Sequence, residues 1–513
     1  MNGSIARGLA SRKRRIKQRL AQANQKKYER SAQDAGPVLE PAGVKYELAG
    51  KARGIAYGGV GLMLKLAQDV GLVTAIDRRL HLLKVHVPYH ESDHVLNLAL
   101  NALCDATCLQ DLELRRNDEV FLDAVGADSI PDPTTAGDFC RRFDADAVDD
   151  LRRAIDDARL NVWRRQADGF FAEAVIDLDS TLVITTGECK AGMDISYKGE
   201  WGYHPLLVTL ANTQEVLNII NRSGNRPSEE GAAAAADLAI DLCRRGGFRQ
   251  IRLRGDTAFS QTKHLDGWDQ EGVLFQFGYD ASPKLVEIAE NLPASAWKKL
   301  ARDRGFARNG PRRARPPQVK RQVIRRREFL SKELKSEQVA QFDYQPLACR
   351  QPYKMTVVRK NISQEKGERR RLDEIRYFFY ISNDRQAAPA EIVFGCNDRC
   401  DQENLIAQLA GGVRALAAPV DNLLSNGAYM LMTSLAWTLK AWSALLLPVE
   451  PRKREAHQAE RRTWLRMEFK TFLQAVMQVP CQIVRQARRT IYRVLSWNPH
   501  SPAFFRLCQV LRC

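Results

Sequence analysis

The sequence contains no Cys-X-X-Cys pair, and its eleven cysteines are odd in number and irregularly spaced. Neither a disulfide framework nor a zinc ribbon is expected, and the thiols are read as reduced. The basic stretch Met1 to Lys27 lacks the continuous apolar run of a secretory signal, so a cytoplasmic location of bacterial type is expected. Long hydrophobic runs are scarce too. Ala428 to Pro448 is apolar enough to question as a membrane span, yet Lys440 lies inside it and Thr433, Ser434, Thr438 and Ser443 interrupt it. A buried helix is expected there, and no membrane partner. Glycine and proline, at 32 and 21 residues, are too few for a fibrous or disordered chain.

What the sequence does have is size and positive charge. At 513 residues and 44% hydrophobic content it exceeds the length at which one core keeps growing, so two to four structural units are expected. Lys and Arg number 78 against 61 Asp and Glu, a formal charge of +17. That surplus says nothing about fold, but it favours polyanionic partners. Nucleic acid comes before membrane surfaces, because no basic stretch sits beside an apolar anchor.

Residues 1–45 are charged, rich in Gln and Ala, and read as a flexible or partly helical basic arm outside the core. Residues 46–170 have helical apolar spacing, with a cap expected at Ser92 and a second helix start at Asp132-Pro133-Thr134-Thr135. This helical domain is read either as a DNA-binding unit of the helix-turn-helix kind or as a plain bundle docked on the rest.

At Ala172 the texture turns to short β-type runs: Ala174 to Asp179, Leu206 to Leu210 and Val216 to Ile220. An alanine-rich helix, Glu229 to Arg245, leads to a fourth strand at Ile251 to Asp256. The first part of an α/β core is therefore placed at 171–292, a β-rich basic insertion at 293–373 and the second part of the core at 374–447. In that second part Arg376 to Ile381 is read as a strand and Asp398 to Leu409 as a helix. Residues 448–513 are read as a basic C-terminal helical region, with Trp464, Phe469, Phe472 and Tyr492 as packing residues.

Acids among these strands carry the chemistry. Asp177 and Asp179 stand two apart on one strand and project from the same face, where charge among Val, Ile and Leu needs a compensating ligand. Asp256 sits just past an apolar strand at a Gly-containing turn, the end of a strand that usually bears function in α/β sheets. Glu403 lies on a helix with Arg399 one turn earlier, placed to orient the carboxylate or contact phosphate. Carboxylate-bound Mg²⁺ ions about 4 Å apart can activate an attacking oxygen and stabilise the leaving one in a phosphoryl displacement.

The blocks Asp179-Ser180-Thr181, Gly202-Tyr203-His204-Pro205-Leu206-Leu207, Arg254-Gly255-Asp256-Thr257-Ala258-Phe259 and Arg399 with Glu403 together resemble the DDE transposases of bacterial insertion sequences. The likeness is to the cut-and-paste group that carries a β-rich insertion before the final glutamate. It extends over roughly residues 88–446, and the long interval from Asp256 to Glu403 leaves room for the insertion.

The resemblance implies a ribonuclease-H-like (retroviral-integrase-like) mixed sheet split by that insertion. It makes Asp179, Asp256 and Glu403 the catalytic metal ligands, with Asp177 and Arg399 auxiliary, and leaves Asp177 open as an alternative first ligand. The implied cofactor is a pair of Mg²⁺ ions, for which Mn²⁺ can substitute. The implied activity is binding of terminal inverted repeats, cleavage there, and joining of 3′-hydroxyl ends to target DNA by a homodimer. The family's third block often has a tyrosine three before the arginine and a lysine seven after the glutamate; here those positions are Cys396 and Ala410. Two rival functions stand beside this one: a nuclease of the same fold that does not join strands, and a catalytically silent DNA-binding descendant.

Lys298 to Glu328 is densely basic, including Arg312, Arg313, Arg315, Lys320, Arg321, Arg325, Arg326 and Arg327, against only Asp303 and Glu328. This stretch is read as a DNA-binding element, with a solvated loop as the plainer reading. By resemblance, Trp297 is the candidate to hold a flipped base. The pattern His90-Glu91-Ser92-Asp93-His94 matches a zinc-protease signature but is set aside, because a helix starting at Ser92 leaves His90 outside and His94 inside.

Overall fold

A computed structural model describes residues 3–29, 44–46, 52–185, 187, 189–301, 323, 326–327, 330–366, 369–370, 373–486 and 489–513. In chain order the strands are β1 (Gly54–Ile55), β2 (Glu173–Ser180), β3 (Val183–Ile184), β4 (Asp194–Ile195), β5 (Trp201–Tyr203), β6 (Leu206–Leu210), β7 (Glu215–Ile220) and β8 (Gln250–Gly255). There follow β9 (Leu274–Tyr279), β10 (Lys298–Lys299), β11 (Leu330–Tyr344), β12 (Tyr353–Lys366), β13 (Arg369–Arg370), β14 (Glu374–Ser382), β15 (Cys481–Gln486) and β16 (Arg489–Val494).

The molecule is a mixed α/β protein built on one large mixed sheet, ordered β10-β11-β12-β14-β9-β8-β2-β6-β7 with β13 on β12. Within it β7, β6 and β2 pair antiparallel, while β2, β8 and β9 run parallel. Chemistry follows position. Leu206 to Leu210 is buried on both faces and consists only of Leu, Val and Thr, as a central strand requires. The Ala232–Gly246 helix packs its alanines against β2, β6 and β8 and ends at Gly247, whose φ of 94° gives the left-handed turn that glycine adopts freely.

The strands and the alanine-rich helix stand where the sequence places them. Within the segment 293–373, β11 and β12 form a long hairpin that continues the main sheet through β14 and β9. The core that covers one sheet face includes Tyr353, Met355 and Val357 from this hairpin together with Leu253 and Phe275. Val319 to Ile324, which reads in the sequence as a further β-type run, lies almost entirely outside the described residues.

The Leu423–Leu445 helix is the hub of the second core, buried from Ser425 onward. Around it gather the Glu91–Leu103 and Ala145–Trp163 helices, β7 and the Arg454–Arg466 helix. Among the described residues no helix is long and apolar enough to cross a membrane. One hydrophobic cluster thus runs from Val60 through Trp442 to Leu507, so position 170 marks a change of secondary structure and not a boundary between cores.

Three local expectations are corrected. Residues 3–29 form one helix, with Leu9 buried and Arg12 donating to the carbonyls of Val494 (2.9 Å) and Ser496 (3.3 Å), so this part of the arm is docked. The C-terminal region is not all helical: β15 and β16 form a hairpin to which β1 adds, because buried Cys481 and Ile483 alternate with half-exposed Gln482 and Val484 at period two. The helix at 91 has its cap two residues before the expected one: His90 is the N-cap, and its backbone N–H donates to Asp93 Oδ2 at 2.8 Å. The second start holds, with Pro133 in the first turn and Asp132 accepting from Thr135 N at 2.8 Å.

Candidate active site

β2 and β8 are parallel neighbours, with Asp177 paired to Arg254 in register. Continuing that register by two residues brings Asp179 level with Asp256, where both strands end. The helices Pro389–Asn397 and Cys400–Ala407 bring Arg399 and Glu403 to the same end. Gln402 anchors them, its side-chain amide donating to the Asp177 carbonyl at 3.1 Å.

The two aspartates of β2 have different fates. Asp177 is buried and clamped by Arg254, whose Nε and Nη2 donate to its two oxygens at 2.6 and 2.8 Å, while Arg254 Nη1 donates to Gly395 O at 2.9 Å. Burial pushes the Asp177 carboxyl up and the Arg254 pair opposes that shift. A carboxylate so buried, with both oxygens on one guanidinium, has little left for a metal. Asp177 joins β2, β8 and the Pro389–Asn397 helix from beneath.

Asp179 is less buried. It accepts from Arg399 Nη1 at 2.9 Å and from Ser180 N at 2.8 Å. Burial pushes its carboxyl up to about 6; Arg399 pulls it down, and the charges of Asp256 and Glu403 push it up. Three acids therefore share one electrostatic neighbourhood with a single arginine between two of them. Arg399 Nη2 also stands 3.6 Å from Glu403 Oε1, and the Glu403 side chain is 60% exposed. Asp256 caps the short turn Thr257–Phe259, accepting from Ala258 N at 2.9 Å.

The oxygens are not closed into one cage: among the described residues these three acids do not come within 4.8 Å of one another. Excess negative charge on hard oxygen donors, one carboxyl raised by burial and further by the neighbouring acids, is the chemistry a divalent cation compensates, so the donor set fits such an ion. Asp256 and Arg399 also line an open cleft of about 420 Å³, walled by Tyr279, Tyr377, Phe378 and Tyr380.

The other sequence candidates fare unequally. Arg326 and Arg327 are exposed, whereas Arg312, Arg313, Arg315, Lys320, Arg321 and Arg325 lie outside the described residues. Trp297 is buried, with the Arg359 guanidinium 4.1 Å from its ring centroid, so this structure does not offer its face to a base. Arg254 was missed as a partner of Asp177. The available signal was an arginine in a strand between Leu253 and Gly255, which needs a carboxylate on a neighbouring strand.

No curated protein matches the chain. Among solved structures, "Cryo-EM structure of piggyBac transposase synaptic complex with hairpin DNA (SNHP)" is similar at 12% identity, covering 82% of this chain and 84% of that chain with a TM-score of 0.37. A family model, by contrast, spans almost the whole sequence: over residues 44–513 the chain matches, and belongs to, the family described as transposase DDE domain group 1.

Proposed function

We propose that this DDE transposase binds the inverted repeats at the ends of its own element, cleaves the phosphodiester there and joins the 3′-hydroxyl to target DNA as a homodimer. The observation that carries the reading is the meeting of Asp179, Asp256 and Glu403, from two strand ends and a helix, in one electrostatic neighbourhood. The core is proposed to be ribonuclease-H-like. Numbering β2, β6, β7, β8 and β9 from one to five, the order 3-2-1-4-5 with only the 1-4 and 4-5 pairs parallel supports that assignment.

Asp179 and Asp256 would hold metal from adjacent strands, and Glu403 would complete the set from its helix. DDE transposase domains generally use divalent metal ions. Mg²⁺, bound as a pair, would activate the attacking oxygen and stabilise the leaving one. Arg399 holds the Asp179 carboxylate in place and is near enough to Glu403 to orient it. Ser180 N holds Asp179 Oδ1 and Arg399 Nη1 holds Oδ2, so the orientation of the carboxylate is fixed. The basic segment 298–328 and the excess positive charge would bind the DNA backbone.

The test is a duplex carrying the inverted repeat, assayed with Mg²⁺ for nicking and with a second duplex for strand transfer. Nicking without joined product would reduce the protein to a nuclease; neither product, with a folded chain and bound DNA, would overturn the catalytic reading.

A further inference from the structure

The pattern His90-Glu91-Ser92-Asp93-His94 does not form a helical metal pair. His94 is buried and stacked on Phe139, ring centroids 4.3 Å apart, and burial pushes its imidazole down to about 4. His90 turns instead to His86 in the preceding loop, their rings stacked with centroids 5.1 Å apart. Glu91 is the third member. Among the described residues, His86, His90 and Glu91 are the group of three donor side chains whose ligand atoms all lie within 4.8 Å of one another.

We propose that His86, His90 and Glu91 form a transition-metal site of the zinc type, separate from the three carboxylates, which ties the loop after Leu80 to the start of the Glu91–Leu103 helix. Donors about 2.0–2.1 Å from a tetrahedral ion stand roughly 3.3 Å apart. His86 Nδ1 and Glu91 Oε2 are already 3.2 Å apart. His90 is exposed and closes the set by rotating its ring.

The carboxylate is prepared for the task. Glu91 is 1% exposed, and its Oε1 accepts from the backbone N–H groups of Leu82 and Leu83, both at 3.0 Å. That leaves Oε2 directed at the imidazoles, the outer-shell orientation that metal-binding carboxylates need. The nearby charges are already engaged: Asp93 caps His90 N, Asp77 accepts from Ser92, and Arg142 donates to Leu82 O at 3.3 Å. Two imidazoles with one carboxylate suit Zn²⁺ or Co²⁺, whereas the all-oxygen set at the strand ends suits Mg²⁺. The two half-open histidines leave a way in and a fourth position for water.

The experiment uses the full chain, free of any histidine tag and stripped with EDTA, titrated with Zn²⁺ and, for its visible spectrum, Co²⁺. The background is the Asp179→Asn, Asp256→Asn, Glu403→Gln triple variant, so that only the new site can report. The expected result is one equivalent bound, four-coordinate Co²⁺ bands, and a rise in apparent Tm. His86→Ala and His90→Asn should each lower affinity at least about 10-fold, while His81→Asn leaves it unchanged. Asn at position 90 keeps the backbone cap, so loss of binding there does not report unfolding. Absence of binding, or binding that survives both substitutions, would show His86 and Glu91 to be a simple ion pair.

Discussion

Two clusters of charge sit on the same sheet and could hardly be treated more differently by their surroundings. At the start of β7, Glu215 is fully buried and saturated: Oε1 accepts from Arg159 Nε (3.2 Å) and Trp442 Nε1 (2.7 Å), and Oε2 from Trp163 Nε1 (3.0 Å) and Thr213 Oγ1 (2.6 Å). Arg159 also binds Asp156 and donates to Val216 O at 2.6 Å. At the far end of β2, a single arginine, Arg399, serves Asp179 and Glu403, with Asp256 beside them. Every lone pair of Glu215 is answered inside the chain, and that cluster locks the Ala145–Trp163 and Leu423–Leu445 helices to the sheet. The other cluster is left with charge that only something outside the chain can answer. Burial alone does not mark a candidate functional acid; a shortage of partners does.

Exchanging acids for amides in the two places should break activity in one and folding in the other. Asp179→Asn, Asp256→Asn and Glu403→Gln are each expected to lower nicking by roughly 10³-fold or more, since a metal ligand contributes several kcal/mol to the transition state. Apparent Tm without metal should hold or rise, because like charges are being removed. Any one variant that nicks within tenfold of the parent would remove that residue from the ligand set.

Glu215→Gln should behave in reverse. Its amide group would face N–H donors already aimed at the carboxylate, and removing one partner of a buried ion pair costs about 3–5 kcal/mol. A large fall in apparent Tm is expected, with DNA cleavage lost only in step with folded protein. A variant that stays stable yet fails to cleave would mean that the saturated cluster also takes part in function.

Much of this contrast is legible in the sequence, and what is not has a physical reason. β2, β6, β7 and β8 can be read because runs such as Leu206 to Leu210 are short, apolar and partly β-branched, and Asp256 stands out as the charge at a strand's end. Which of Asp177 and Asp179 faces the site cannot be read, because both lie on the same side of the strand. Only the register that pairs Asp177 with Arg254 separates them. Arg399 was expected near Glu403 by helical spacing, but its shorter bond is to Asp179, a contact across the fold that no local period encodes. The hairpin at 481–494 was obscured by its basic residues, and the shared core by the long chain separation between the Glu91–Leu103 and Leu423–Leu445 helices.

Asp177 tests the middle ground, being buried and arginine-paired like Glu215 but two residues from Asp179, the proposed ligand. Asp177→Asn should weaken the Arg254 clamp and lower cleavage about 10–100-fold, as loss of outer-shell support does. Because it acts by position, the Mg²⁺ concentration needed for half-maximal nicking should rise. Loss of activity with an unchanged metal requirement and a lowered Tm would make the pair structural only.

Lys440 is a buried charge with a neutral setting: its Nζ donates to Leu465 O at 2.8 Å and lies 3.7 Å from the Trp437 ring centroid. Burial pushes the amine down to about 7 from the ordinary 10.5. Between those values the unfolded chain holds a proton that the folded chain lacks, so this group makes stability rise with pH from about 7 toward 10.5 and withholds that contribution below 7. Lys440→Met should therefore raise apparent Tm most below pH 7, with the gain shrinking at higher pH. A Tm difference that is flat from pH 6 to about 9 would show the amine to be neutral throughout or paired in a way the lysine does not share with methionine.

The smallest effect per residue belongs to charges whose proposed partner lies wholly outside the chain. Arg326 and Arg327 are exposed, and with Arg312, Arg313, Arg315 and Arg325 they belong to the basic segment assigned to the DNA backbone. Each phosphate that a cation neutralises releases counterion and steepens the fall of log affinity with log salt by about 0.9 on duplex DNA. Converting all six to Ala should thus flatten the slope by up to several units on repeat and random duplexes alike, because phosphate contacts carry no sequence information. Circular dichroism and Tm should hardly move, which sets these charges apart from Glu215. Cleavage should slow through weaker binding, and high DNA concentration should restore much of it, which sets them apart from Asp179. An unchanged slope in a folded variant would make the segment a solvated face and move the DNA path elsewhere on the protein.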